Sequence, residues 1–315
     1  RFEREILVWA GIWHPNVAPL LGFTLSPAFY LISPWYSNGT IRQYISTNPS
    51  CDRLYLIQDV AAGLAYLHTC QPPIVHGDIK SNNVVVDADG HAKIIDFGLS
   101  QILENSTTEA NTVIEVGNSR WMAPEVLTSQ QITCSSDVYS FGCLALETAS
   151  GLPPFRGLQQ GLQLVARPAS LKPVTDRIAY PRIPEDNLLW SLLFSCWETD
   201  PAQRPSMTDL QTQLRVLISK RPLLGHSPGS SPSSSVPAPA QAFVEEPSSL
   251  LLSIKATGEA SSEWSAFFQT SGLPAGRYRR LGSQTLGCGV LSDSWLCEME
   301  RNGEVQQVCL RGLLP

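Results

Sequence analysis

The chain has 315 residues, 43% hydrophobic and 16% charged, which is enough to bury a sizeable core in one large or two modest domains and too apolar for a disordered chain. A formal net charge of -6 gives no overall basic field for nucleic acid or an anionic membrane, and no apolar run approaches the ~18 residues of a membrane span. The eight cysteines are scattered, without a CxxC pair or a His/Cys cluster at zinc spacing, which reads as reduced thiols in a cytoplasmic or nuclear setting. Residue 1 is Arg, with no signal-peptide pattern after it, so the expectation is that the natural start lies upstream together with any targeting signal.

In chain order, Phe2, Ile6 and Trp9 fall on one helical stripe and predict a helix over 2–11. A strand-like run follows at Tyr30–Ser33. Residues 53–68 place Ile57, Val60, Ala61, Leu64 and Leu67 at helical spacing and predict a well-buried helix. The runs Val84–Val86 and Lys93–Ile95 flank an Asp89-Gly90 turn signal and predict a hairpin. Beyond Val138 the pattern is mostly helical, ending in Met207–Ile218. Composition then shifts: from Gly225 to Ala240, 12 of 16 residues are Ser, Pro or Gly, too polar to offset their ordering entropy, so residues 223–249 read as a linker. Aromatics return with Phe243, Trp264, Phe267, Phe268, Tyr278 and Trp295, and residues 250–315 are expected to hold a second ordered piece.

Three short motifs stand in order: His76-Gly77-Asp78-Ile79-Lys80-Ser81-Asn82-Asn83, then Asp96-Phe97-Gly98 just past the hairpin, then Ala123-Pro124-Glu125. Singly, each has a plain structural explanation: an Asx turn, a turn tripeptide, and a helix start with proline in its first turn. Jointly they match what phosphoryl transfer needs, which is cations held on phosphates and a carboxylate near the attacking hydroxyl. A loop offering Asp78, Lys80 and Asn83 opposite a second carboxylate, Asp96, supplies those parts.

On these motifs, residues 1–222 resemble a protein kinase catalytic domain entered at its helix αC, most similar to the tyrosine-kinase-like group. The resemblance implies an α+β, two-lobed fold with a truncated small lobe and a mainly helical large lobe. It implies an ATP-dependent serine/threonine kinase in signalling, with Mg-ATP as cofactor and a Ser/Thr-bearing protein as substrate. By resemblance Asp78 is the catalytic-loop base, and Lys80 contacts the γ-phosphate and marks a Ser/Thr preference. Asn83 and Asp96 are the magnesium ligands, the latter in the Asp96-Phe97-Gly98 turn. Glu5 matches the αC glutamate, Ser33 the gatekeeper, and Pro34-Trp35-Tyr36 the hinge that grips adenine. Trp9, Leu20, His76 and Phe97 match a stacked spine. Asp137 matches the residue that holds the catalytic loop, and Arg204 the arginine that pairs with Glu125.

The pattern also departs from the family. No β1–β3 strands precede Arg1, so a glycine-rich loop and the ATP-binding lysine are missing there. The arginine expected at position 77 is Gly77, and the threonine expected after Gly117 is Asn118. Ser106, Thr107, Thr108 and Thr112 make the intervening segment a phosphorylation candidate, with plain solvated polarity as the competing explanation. At the other end, residues 286–295 resemble a degenerate glycine loop and residues 304–311 resemble strand β3, with Arg311 at the lysine position. The leading expectation is the start of a second, degenerate kinase small lobe; the alternatives are a short sheet of unrelated origin, and residues 286–315 folding back in a permuted order to complete the first cleft. Two other functional classes are weighed against a protein kinase. One is a non-catalytic pseudokinase or scaffold, favoured by the missing lysine and opposed by the intact Asp78, Asn83 and Asp96; the expectation is a kinase by ancestry, with this chain itself an incomplete and inactive fragment. The other is a small-molecule phosphotransferase, opposed by Glu125, Asp137 and Arg204. Scattered Lys and Arg form no basic stripe, so nucleic acid is not expected as a partner.

Overall fold

Helices form where side-chain caps meet apolar spacing. The computed structural model describes residues 6, 8–24, 30–97, 101–102, 119–129, 131–159, 161–220, 277–280, 287–288, 292–301 and 304–313. Its helices are α1 (Ile41–Thr47), α2 (Arg53–Thr69), α3 (Pro124–Ser129), α4 (Cys134–Ser150), α5 (Leu162–Val165), α6 (Leu189–Cys196) and α7 (Met207–Ser219). Its strands are β1 (Gly22–Thr24), β2 (Tyr30–Pro34), β3 (Ile74–Val75), β4 (Val84–Val86), β5 (Ala92–Ile94), β6 (Gln101–Ile102), β7 (Arg277–Arg280), β8 (Gly287–Cys288), β9 (Ser292–Arg301) and β10 (Glu304–Leu313). Ahead of them, Ile6, Val8, Trp9 and Ala10 are helical, with Ile6 and Trp9 buried as their stripe predicts.

The expected helix over 53–68 is α2, opened by Asp52 accepting from Leu54 N. All five stripe residues are buried, and so are Leu54, Leu56, Gly63 and Ala65, because α2 is packed on more than one side. The last helix, α7, opens with a reciprocal capping box between Ser206 and Asp209. Helix α4 was not delimited by periodicity, and its burial explains why. Every residue from Ser136 to Ser150 is buried, polar ones such as Asp137 and Glu147 included, and a helix enclosed on every side needs no one-sided apolar stripe. It is bounded by a Thr133/Ser136 capping box and by Gly151 in the left-handed conformation at φ 76°. Trp121, Trp190 and Trp197 lie in this core.

Where α4 meets the end of α6 the backbones come close. A methyl group built on Gly142 would lie 2.7 Å from Cys196 Cβ and 2.7 Å from Trp197 Nε1, both fully buried groups with nowhere to go. Gly142→Ala is expected to cost about 1–3 kcal/mol through overpacking. Thermal melts beside Gly157→Ala, where nothing lies within 4 Å of the new methyl, check it: only the first should fall by several degrees.

The predicted hairpin is β4–β5, one residue earlier in its second strand than expected, with Val84 opposite Ile94 and Val86 opposite Ala92. Its turn is closed by Asp87, whose side chain accepts from Asp89 N and His91 N, and by Gly90 at φ 87°. Among the described residues of 1–220, only β1 and β2 join the larger sheet, as expected of a truncated small lobe, and the large lobe is mainly helical. The remaining strands of that sheet come from after residue 276. The order is β1-β2-β10-β9-β7 with β8 also on β9, every neighbouring pair antiparallel. Thus the strands read as the start of a second small lobe pair with β2 of the first. Their shared core is small, with Ile32, Cys297 and Val308 fully buried.

Candidate active site

The loop between β3 and β4 is held from below by one carboxylate. Asp137, 1% exposed in the first turn of α4, accepts from His76 N at 2.7 Å and Gly77 N at 2.8 Å, and it meets His68 Nε2 at 3.0 Å. Gly77 sits at φ 79°, a conformation that costs other residues roughly 1–2 kcal/mol, so glycine in place of the family arginine removes backbone strain there. His76 is fully buried. Its Nε2 lies 3.0 Å from Ile95 O and its Nδ1 accepts from Asp78 N at 3.2 Å, which assigns the Nε2–H tautomer from its partners.

Asp78 is the hub of the loop. Lys80 Nζ lies 2.6 Å from Asp78 Oδ2, and Asn83 Nδ2 donates both to Asp78 O at 2.8 Å and to Oδ2 at 2.9 Å. Burial pushes the Asp78 carboxyl above its usual range; Lys80 pulls it back, and the charge of Asp96 pushes it up further. The 3-10 turn Ser81–Asn83 aims Asn83 inward, and Asn83 O accepts from Ile95 N at 3.0 Å, tying this loop to the segment that carries Asp96. Asp96 itself has φ 71°, rare for a non-glycine residue, a strain that marks functional positions more often than ordinary loops. Asn83 spends its amide NH2 on Asp78, leaving Oδ1 as the atom for a cation. With the Asp96 carboxylate this makes a set of hard oxygen donors suited to magnesium.

Next to Asp96, Phe97 is 1% exposed, with its ring 5.6 Å from Trp9 and 5.3 Å from His76. Leu20 packs against the same core as Trp9 and Phe97, and His76 joins them through its ring contact with Phe97. Trp9 also donates through Nε1 to Ala18 O at 2.6 Å, locking the N-terminal helical residues to the chain entering β1.

Below the loop, Arg204 and Glu125 form a two-pronged pair at 2.5 and 2.9 Å, as the family resemblance implied. The Arg204 guanidinium also caps Ser135 O and lies over the Tyr139 ring at 5.1 Å. Ser33 is on β2 and Pro34 ends it; Trp35 N donates to Gln307 O at 3.4 Å, so the predicted hinge leans on β10. The Tyr36 phenol is half-buried, which raises its pKa. Glu5, Gly98, Ser106, Thr107, Thr108, Thr112 and Asn118 lie outside the described residues.

Two partners were not found from the sequence as site contacts. His68 on Asp137 carries no motif of its own. Arg311 Nη1 lies 2.8 Å from Asp96 Oδ1, a contact across more than 200 residues that only the fold-back alternative could have suggested.

Comparison with known proteins gives the family. A family model described as protein tyrosine and serine/threonine kinase matches residues 1–214. The serine/threonine-protein kinase CTR1 of Arabidopsis thaliana is 32% identical over 224 residues, covering 69% of this chain and 26% of that protein. A probable receptor-like serine/threonine-protein kinase of the same plant is 34% identical over 224 residues, covering 66% of the chain and 39% of that protein. A discoidin domain-containing receptor tyrosine kinase of Caenorhabditis elegans is 32% identical over 235 residues, or 70% of the chain and 28% of that protein. The chain therefore spans between about a quarter and two fifths of these relatives' lengths. Among the described residues no helix is long and apolar enough to cross a membrane.

Proposed function

The chain belongs to the protein kinase family, and on that premise we propose that it transfers the γ-phosphate of Mg-ATP to a serine or threonine hydroxyl of a protein. The observation that carries this reading is the convergence of Asp78, Lys80 and Asn83 on one loop beside Asp96. Bound magnesium would neutralise charge on the phosphates, and Asn83 Oδ1 and the Asp96 carboxylate are the groups to hold it. Asp78 Oδ2 orients the attacking hydroxyl and takes its proton. Lys80, resting on the same oxygen, offers its ammonium to the transferred phosphate and supports a Ser/Thr preference. The backbone around Pro34-Trp35-Tyr36 is proposed to bind adenine, with Ser33 beside it.

A non-catalytic binding module is the second reading, and the observation that favours it is the Arg311 guanidinium seated on Asp96. The two are separated by incubating the chain with labelled Mg-ATP and mixed Ser/Thr and Tyr peptides, beside Asp96→Asn. Label on serine or threonine, lost in the variant, is the expected result. Label on tyrosine alone overturns the substrate preference. Nucleotide binding with no transfer supports the binding module.

A further inference from the structure

The larger sheet beside the candidate site is built from two stretches of chain separated by the whole large lobe. β10 lies between β2 and β9, with five residue pairs to β2, from Val308 opposite Pro34 to Gly312 opposite Tyr30. It has ten pairs to β9, from Glu304 opposite Arg301 to Leu313 opposite Ser292. The intervening residues Asn302-Gly303 are the strongest short hairpin signal a sequence offers, so the β9–β10 register is set locally. Docking onto β2 buries Ile32, Cys297 and Val308 completely. The same register puts Arg311 opposite Leu31, one strand from the predicted hinge, and its guanidinium reaches Asp96 at 2.8 Å.

An arginine on a central strand, 14% exposed at its side chain, is costly unless an anion meets it. Asp96 does so here. Asp96 is also a proposed magnesium ligand, and a nucleotide brings both magnesium for the carboxylate and phosphate oxygens for the guanidinium. Arginine's planar fork suits phosphate oxygens as well as it suits a carboxylate. The exchange leaves neither charge unpaired.

We propose that β9 and β10 complete the small lobe of the same chain in permuted order and that Arg311 releases Asp96 to bind the phosphates of the nucleotide. This rests on the kinase reading above and adds to it the group, and the end of the chain, that closes the cleft.

Two measurements test it. In the first, a protease site is inserted in the full chain between residues 230 and 240 and cut. The two pieces are expected to co-elute at the mass of one chain; separation, or a mass of two chains from exchanged strands, overturns completion within one chain. In the second, calorimetric titration with Mg-ADP compares the unaltered chain with Arg311→Ala, Arg311→Gln, Arg311→Lys and Asp96→Asn. Losses of at least tenfold in affinity are expected for the alanine and glutamine variants, and under threefold for lysine. Melting curves without nucleotide identify any variant that fails to fold, and the glutamine variant keeps an aliphatic stem and a polar end without the charge. Unchanged affinity in Arg311→Gln with affinity lost in Asp96→Asn overturns this inference alone. No binding by the unaltered chain overturns the kinase reading along with it.

Discussion

Asp137→Ala is expected to lower stability by about 3–5 kcal/mol, more than any other single substitution in the large lobe considered above. The carboxylate serves three groups: the backbone N–H groups of His76 and Gly77, and the ring of His68. Alanine brings no acceptor and leaves a buried cavity that cannot hydrate two amides at once. Each orphaned buried donor costs about 1–3 kcal/mol. In a lobe of this size that is a fall of about 10 °C in the melting temperature. Asp137→Asn keeps one oxygen and should lose about half as much. The informative readout is hydrogen exchange, because the amides of His76 and Gly77 should lose protection before those of α2 or α4 do. Equal loss everywhere would mean that Asp137 supports the core in general and not this loop.

That loop shows how legible the site was. Asp78, Lys80, Asn83 and Asp96 could be read because their chemistry depends on local spacing: eight residues of loop, a hairpin, and the next carboxylate. The Glu125–Arg204 pair could be read because both ends carry motifs. The hairpin and α2 followed from turn chemistry and from apolar residues at helical spacing. Helix α4 resisted because enclosure on every side leaves no one-sided stripe, and nothing in the local sequence signals the close approach of Gly142 to Cys196 and Trp197.

The sheet order was the hardest element. Strand pairing between β2 and β10 joins residues almost 280 apart, and nothing in hydropathy distinguishes an edge that pairs at home from one that begins another domain. The resemblance of residues 304–311 to a third strand was visible, but its partner was a topological matter. Only the register shows that Arg311 and Asp96 face each other.

Asp78→Asn is expected to reduce phosphoryl transfer by about 10²–10⁴, the usual contribution of a positioned general base, while leaving Mg-ADP affinity within about threefold. The amide keeps a hydrogen bond to the substrate hydroxyl but cannot take its proton. The pH dependence gives a second, independent check. Burial and the charge of Asp96 raise the Asp78 pKa, so its carboxylate form is lost as pH falls through a value above the ordinary carboxylate range. Transfer by the unaltered chain should decline along that limb, and the variant should show residual activity without it. Stability should move in the opposite sense. A carboxyl whose folded pKa is raised binds its proton more tightly in the folded state, so its contribution is fully present below the unfolded pKa and is lost as pH rises through the folded one. Replacing Asp78 by asparagine removes that loss, and the difference in melting temperature between variant and unaltered chain should shift in the variant's favour as pH rises across this window. A flat difference, or a variant with unchanged transfer, would place the proton with another group and leave Asp78 as an anchor for Lys80 and Asn83.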